Sequence, residues 1–410
     1  MPRSWFLFGL FSLLIAQWAC RSTQATTYDF PKPVDTTTRS VTQQVKQVYQ
    51  PSGAGLMVDN RFDGARLNDF VAIGRDSFRA VIRPENEPIN PSAYYAFRLW
   101  SDAPKEVVVE LDYATAFHRY PPKISRNGEV WELLDTNAVR LAADSVNAFL
   151  TLNVSPETLY VAAQELHTTH RVRDWCDTMA RHPNVRFQTI GQSRLERPLY
   201  LLDIGQPPYR RTETIVILSR QHPPEVTGYL AMRAFVEALL ADTPLANAFR
   251  KKYRTLVYPL LNPDGVDLGH WRHNAGGIDL NRDWAYYHQP ETRAVANDIV
   301  RRVREARSDV LLGIDFHSTW YDILYTNSQA APNLPGFKDY WIQGFRQDLD
   351  ELEIVERPSV VGAPVSKGWL LTQLGAEGIT YEVGDNTPRD LIRRKGRSAA
   401  VELMELLVLR

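Results

Sequence analysis

Four stretches in the C-terminal half carry residues that could do chemistry together: His222-Pro223-Pro224-Glu225, Asp279-Leu280-Asn281-Arg282, Asp315-Phe316-His317 and Thr380-Tyr381-Glu382. Two imidazoles and one carboxylate form a donor set that holds zinc and leaves a fourth position open for a reactive water. His222 and Glu225 lie three apart in a turn that enters a helix, and the paired prolines fix the backbone there. Such a pair recurs by chance. The third donor, His317, sits at the end of an apolar strand and sharpens the reading. Glu382 is then left as a free carboxylate, able to act as a base. Asp279 is the expected partner of the second ring nitrogen of His222. Asp315, two residues before His317 and on the same strand face, can support either histidine or bond strand-end amides.

These residues need a frame. Short alternating runs broken by Pro, Asn, Asp and Gly fill residues 53–154, with Phe78–Ile82, Tyr94–Trp100, Glu106–Tyr113 and Ala148–Val154 as the clearest strands. They predict an antiparallel β-sandwich. A Thr- and Gln-rich segment to about Gln50 reads as a linker and first strand. Beyond Ser155 the pattern changes to alternating strands and helices. Glu165–Ala180, Val226–Leu240, Glu291–Arg307, Phe337–Leu352 and Asp390–Leu409 read as helices. Thr214–Leu218, Leu256–Leu261, Val310–Phe316 and Ile379–Val383 read as strands. Alternation of this kind predicts an α/β domain with a mixed sheet between helices. The expected organisation is a leader at 1–25, a sandwich at 26–157 and a catalytic domain at 158–410.

From about Glu165 to Arg410 the chain resembles the zinc carboxypeptidases of the M14 (carboxypeptidase A-like) family. The likeness rests on His222-Pro-Pro-Glu225, Asn262-Pro263-Asp264-Gly265, Trp271-Arg272, Asp279-Leu280-Asn281-Arg282-Asp283-Trp284, His317-Ser318 and Glu382. Upstream, Ile82-Arg83-Pro84-Glu85, Ile89-Asn90-Pro91-Ser92, Tyr94-Tyr95-Ala96-Phe97-Arg98 and His118-Arg119-Tyr120-Pro121-Pro122 look like the β-sandwich of the cytosolic-carboxypeptidase-like members. The resemblance implies an α/β/α domain on a mixed eight-stranded sheet. It also implies one zinc on His222, Glu225 and His317, with Glu382 as general base. Arg272 matches the arginine that stabilises the oxyanion, and Asn281 with Arg282 the pair that grips a terminal carboxylate. Counting back from Glu382, the base of the family's side-chain pocket falls on Lys367, which implies a preference for acidic C-terminal residues or a carboxylate-bearing wall peptide. The chain departs from the digestive enzymes at Pro224, where they carry arginine, and near Val360, where they carry a mobile tyrosine. Tyr321 and Tyr325 are the candidates to stand in for it.

Composition bounds the alternatives. The chain has 410 residues, 44% of them apolar and 23% charged, with a net charge of −1. That is ordinary for a globular protein and offers no bulk attraction for nucleic acid. No obligate protein partner is evident; the expected partner is a peptide or muropeptide substrate. Arg3 followed by the apolar run Trp5–Ala19 reads as a secretory leader, so the expected location is periplasmic or extracellular. Its end is either Cys20, as a lipid-anchored residue, or the bond after Ala25. Cys176, the other cysteine, is expected to be structural and unpaired. The rival readings are a peptidoglycan-peptide amidase, an N-acyl amino acid deacylase of the aspartoacylase type, and an inactive binding protein. The sandwich disfavours the deacylase, and the complete set of His222, Glu225, His317, Arg272 and Glu382 disfavours the inactive protein.

Overall fold

A computed structural model describes residues 24–114, 116–143, 146–349 and 354–410. Cys20 and the expected leader up to residue 23 lie outside the described residues. Among the described residues, no helix is long and apolar enough to cross a membrane.

The N-terminal half forms two sheets around one core. The first has six strands, in the order Val48–Tyr49, Leu56–Asp59, Ala96–Ser101, Leu159–Ala162, Lys123–Ser125 and Glu132–Leu133. The second has five, in the order Asp69–Ala72, Ser77–Val81, Lys105–Asp112, Ala148–Val154 and Val139–Leu141. Alternation buries every second side chain, as in Ser77–Val81 and Ala148–Val154. Phe78, Val109 and Leu150 thereby meet Val58, Phe97 and Val161 of the opposing sheet. The expected sandwich is present, with one departure: Ser77–Val81 runs parallel to Lys105–Asp112. Between them the chain crosses to the other sheet to form Ala96–Ser101 and then returns, so no hairpin joins the pair. Leu159–Ala162 lies past the expected boundary at residue 157, yet it hydrogen-bonds to Ala96–Ser101 and Lys123–Ser125 within the sandwich.

The C-terminal half is built on an eight-stranded sheet. Its order is Val185–Gln192, Pro198–Ile204, Arg254–Tyr258, Thr214–Ser219, Val310–Thr319, Glu377–Gly384, Ile323–Asn327 and Val355–Ser359. The four central strands are mutually parallel, and antiparallel pairings flank them. Parallel strands covered on both faces read as continuous apolar runs, and Thr214–Ser219 is buried throughout. Ile215 and Ile217 face the helices Val226–Leu239, Phe337–Asp348 and Arg389–Leu409; Val216 and Leu218 face Pro290–Ala306 and Ser366–Leu374.

Local chemistry moves several element ends. The first helix of this half starts at Thr169 rather than Glu165. Thr168 is extended, and the Glu165 carboxylate is held by both Nε and an NH2 group of Arg389, at 2.7 and 2.8 Å. The strand read as Leu256–Leu261 is Arg254–Tyr258, stopping before Pro259. Residues 350–352 of the helix read as Phe337–Leu352 are not described, and its described part is Phe337–Asp348.

The segment expected to be a linker is instead strapped to the catalytic half. Ala25 N donates to Asn297, Lys32 N to the Gly362 carbonyl and Thr36 Oγ1 to Asp283, while Arg39 N donates to the Gly276 carbonyl. Its main-chain N–H groups, with the Thr36 hydroxyl, find acceptors on the larger domain, which is why a Thr-rich stretch without hydrophobic periodicity becomes ordered.

Candidate active site

The chemistry-bearing side chains gather at the C-terminal edge of the parallel strands, where open α/β sheets place their sites. Strand Thr214–Ser219 ends in the loop that carries His222 and Glu225, and Glu225 opens the helix Val226–Leu239. Strand Val310–Thr319 supplies Asp315 and His317. Glu382 stands on the adjacent strand Glu377–Gly384, directly in register with His317, and Thr380 pairs with Asp315. Side chains in register share a face, so the ligand and the carboxylate point the same way.

The helix is pressed onto that strand. Gly228 N and Thr227 Oγ1 both donate to Ser318 Oγ, at 2.9 and 2.8 Å. A Cβ on Gly228 would fall 2.2 Å from the His317 carbonyl oxygen. Only glycine allows this approach, which brings the loop and strand donors together.

His222 Nδ1 and His317 Nδ1 each lie 2.7 Å from a different oxygen of Glu225. The three residues are buried, and their donor atoms all lie within 4.8 Å of one another. The far ring nitrogens are also held: His222 Nε2 is 2.9 Å from Asp279, and His317 Nε2 is 2.8 Å from Asp315. Carboxylates on the Nε2 side fix each ring with Nδ1 turned inward, the arrangement that a histidine-bound metal requires. Asp279 therefore serves His222 as expected, and Asp315 serves His317. Asp279, Glu225 and Glu382 all act on Arg272 and outnumber its single charge, an excess that a divalent cation would offset. The donor set fits zinc.

Electrostatics separates the carboxylates. Burial alone would push Glu225 up, but the two imidazoles hold it well below the usual carboxylate range. Asp279 is likewise held down, against its burial, by Arg272 and His222. Burial pushes Glu382 up to about 7, with Glu225 adding to it and His317, His222 and Arg272 opposing. Its Oε2 is buried and meets no hydrogen-bond partner among the described residues. One carboxylate is thus fixed in its anionic form while the other is free to exchange a proton.

The other residues singled out in the sequence divide into two groups. Arg272 Nε donates to Asp279 at 2.8 Å, and Arg282 donates to the Asn281 carbonyl at 2.7 Å. Arg272, Asp279 and Arg282 line one cleft of about 350 Å³, together with Arg39 of the strap and Pro88 and Asn90 of the sandwich. Asn281 is buried: its Oδ1 accepts from Ser366 N, and its Nδ2 lies 3.4 Å from His317 Nε2. Lys367 is set apart from this group. Its ammonium is buried and donates to the Thr326 carbonyl, Asn327 Oδ1 and Ser359 Oγ at 3.0 to 3.1 Å. Burial lowers it to about 8. Tyr325 lies diagonally across from Glu382, whose partner in register is Ile323. Tyr321 accepts from Arg357 at 2.8 Å, and Val360 is exposed. Cys176 is buried and free of a disulfide among the described residues, and burial raises its thiol, in keeping with a structural role.

Two site residues escape sequence reasoning because they come from the sandwich. Glu85 accepts backbone N–H groups from the Arg272 loop. Arg119 donates to Asp385, three residues after Glu382, at 2.8 Å. Both lie in stretches whose resemblance to the family is visible, but nothing in the residues themselves says which atoms of the other domain they reach.

Residues 172–340 match the M14 peptidase family model, described as zinc carboxypeptidase. Human cytosolic carboxypeptidase 6 is 29% identical over 298 residues, covering 66% of this chain and 58% of that protein. Human cytosolic carboxypeptidase 2 is 32% identical over 139 residues, or 32% of this chain and 15% of that protein. The chain thus spans less than two thirds of the length of these relatives. The metallo-carboxypeptidase from Burkholderia cenocepacia shares the fold, with a TM-score of 0.70 at 19% identity over 86% of this chain and 99% of that one. So does the Pseudomonas aeruginosa metallo-carboxypeptidase in complex with (2-guanidinoethylmercapto)succinic acid, with a TM-score of 0.69 at 20% identity over 86% and 100% of the two chains. With two histidines and one glutamate ready for a metal inside it, the stretch at residues 172–340 matches the zinc carboxypeptidase domain of the M14 peptidase family, and the chain is a hydrolase.

Proposed function

We propose that this protein is an exported metallocarboxypeptidase that removes residues from the C-termini of peptides. The observation that carries this reading is the cleft beside the ligand set, lined by Arg272 and Arg282. Arg282 is partly exposed, and among the described residues its partners are the Asn281 carbonyl and, at 3.9 Å, Asp279. Its remaining N–H groups are free to pair a terminal carboxylate in a two-pronged contact.

His222, Glu225 and His317 would hold the zinc, and the chemistry it would supply there is Lewis-acid polarisation of the scissile carbonyl and acidification of water. Glu382 accepts the proton of the attacking water on its unpartnered Oε2 and delivers it to the departing amine. Arg272, held by Asp279, offers N–H groups to the carbonyl oxygen as it gains charge. Arg272→Ala should lower kcat by about 10²- to 10³-fold with KM little changed. Steady-state kinetics on a short peptide checks this; an unchanged kcat removes Arg272 from that role.

A preference for acidic C-terminal residues belongs to the same reading. Among the described residues none of the hydrogen bonds of Lys367 goes to a carboxylate. Glu377, the acid whose charge acts on it, is itself pushed up to about 7 by burial, so part of the ammonium's field is left for an acidic side chain. Because its donors are engaged, it acts through that field rather than by direct contact. Lys367→Met should narrow the kcat/KM advantage of C-terminal Glu over Leu by about tenfold, one decade per 1.36 kcal/mol. A profile identical to the parent's excludes Lys367 from specificity. Export rests on Arg3 and the run Trp5–Ala19, and a lipid anchor on Cys20. The test of the whole reading is mass spectrometry of the zinc-loaded protein against mixed peptides and muropeptides. Release of single C-terminal residues supports it, and cleavage confined to muropeptides overturns it in favour of an amidase.

A further inference from the structure

The sandwich reaches into the catalytic centre through one buried carboxylate. Glu85 follows the strand Ser77–Val81 and is wholly buried. Its Oε2 accepts the Trp271 N–H at 2.7 Å, and its Oε1 accepts those of Arg272 and His273 at 2.9 and 2.6 Å. Three consecutive amides of the catalytic domain are thus gathered on one side chain of the other domain. Asn86 extends the grip, with Nδ2 donating to the Gly277 carbonyl at 3.0 Å and Oδ1 bonded to His273 Nδ1. Trp271 Nε1 donates to the Tyr94 carbonyl at 2.9 Å, a further anchor in the sandwich.

The loop so held lacks the support of regular structure. Residues 269–278 belong to no helix or strand, and buried amides outside a ladder need acceptors from elsewhere. A carboxylate accepting several N–H groups is among the stronger such partners. Although burial opposes the charge on Glu85, His270, Arg66 and His273 together with these amides hold its carboxyl below the usual range. The middle residue of the gathered three is Arg272. Its backbone is fixed by Glu85 and its side chain by Asp279, the acid that also orients His222.

We propose that Glu85 is a positioning residue for Arg272, so that the sandwich domain completes the active site and is not a separable recognition module. This rests on the carboxypeptidase reading given above. A donor acting on charge that appears only in the transition state must be held to within a few tenths of an ångström before the reaction. Glu85→Gln keeps the shape but turns an N–H donor onto one of the three amides. Displacement of Arg272 should then appear in kcat rather than in KM.

The test is a double-mutant cycle on the full-length, zinc-loaded protein. Glu85→Gln alone should reduce kcat roughly tenfold, with KM and metal content held. In an Arg272→Ala background the same substitution should change kcat by less than about twofold, because the group it positions is gone. Equal losses in both backgrounds would show a general structural effect and overturn the proposal, as would an unchanged kcat in Glu85→Gln. If Glu85→Gln does not fold, Asn86→Ala loosens the same loop and enters the same cycle with the same two outcomes. Absence of carboxypeptidase turnover in the parent protein is a different failure, one of the functional reading itself.

Discussion

Glu382→Gln should abolish turnover and leave the zinc in place. The amide keeps the shape of the side chain but cannot accept the proton of an attacking water, and positioned general bases contribute about 10²- to 10⁴-fold. The strand setting makes this a clean experiment. Glu382 lies in register with His317 but is not in the cluster of metal donors, so metal content measured by atomic absorption should equal the parent's. Burial pushes the Glu382 carboxyl up to about 7; a raised carboxyl favours the neutral form, which the amide mimics, so folding should tolerate the change. Retained hydrolysis would falsify the assignment of the base.

His317→Ala should lose both the metal and the activity. Removing one of three protein donors leaves a divalent ion with two, and the ring also separates Glu225 from Asp315. Those two carboxylates would remain buried without their shared cationic or metal-bound partner, an arrangement that costs about 3 to 5 kcal/mol. The expected results are zinc near background, a lower melting temperature, and a kcat lower by at least about 10³-fold, from the several kcal/mol of a lost metal. Full zinc occupancy would exclude His317 as a ligand. The two variants together separate the roles, since only one should keep the ion.

Much of this site was legible because its residue types are demanding. Two histidines and a glutamate three positions after one of them, with Asp279 in a loop and Asp315 on a strand, leave few alternatives once the loop after one strand and the ends of two others carry them. The sheet order was not legible. Ile323–Asn327 and Val355–Ser359 are short strands without strong alternation at one end of the sheet; the first pairs with Glu377–Gly384 and the second, at the edge, pairs with the first. Lys367 shows another limit. A count along the chain placed it near the base of a pocket, and the structure finds its donors already bound to Thr326, Asn327 and Ser359. Position along a chain does not say which oxygens a flexible ammonium meets first. Glu85 failed to stand out for the opposite reason. Its partners are backbone amides nearly two hundred positions away, and backbone amides carry no signature in a sequence.

The pairing of His317 with Glu382 sets how the site can fail. Glu382 is paired on one side with His317 and on the other with Ile323, and the ladder continues past His317 to Thr319, so the two residues move together with their strands. The only nearby alternative is a slip of one residue, which would turn Glu382 to the opposite face. The spacing of metal and base is therefore a two-valued quantity, right or absent. Gradual adjustment during a catalytic cycle is left to the loops, to Arg272 and Arg282, and to the domain that grips them.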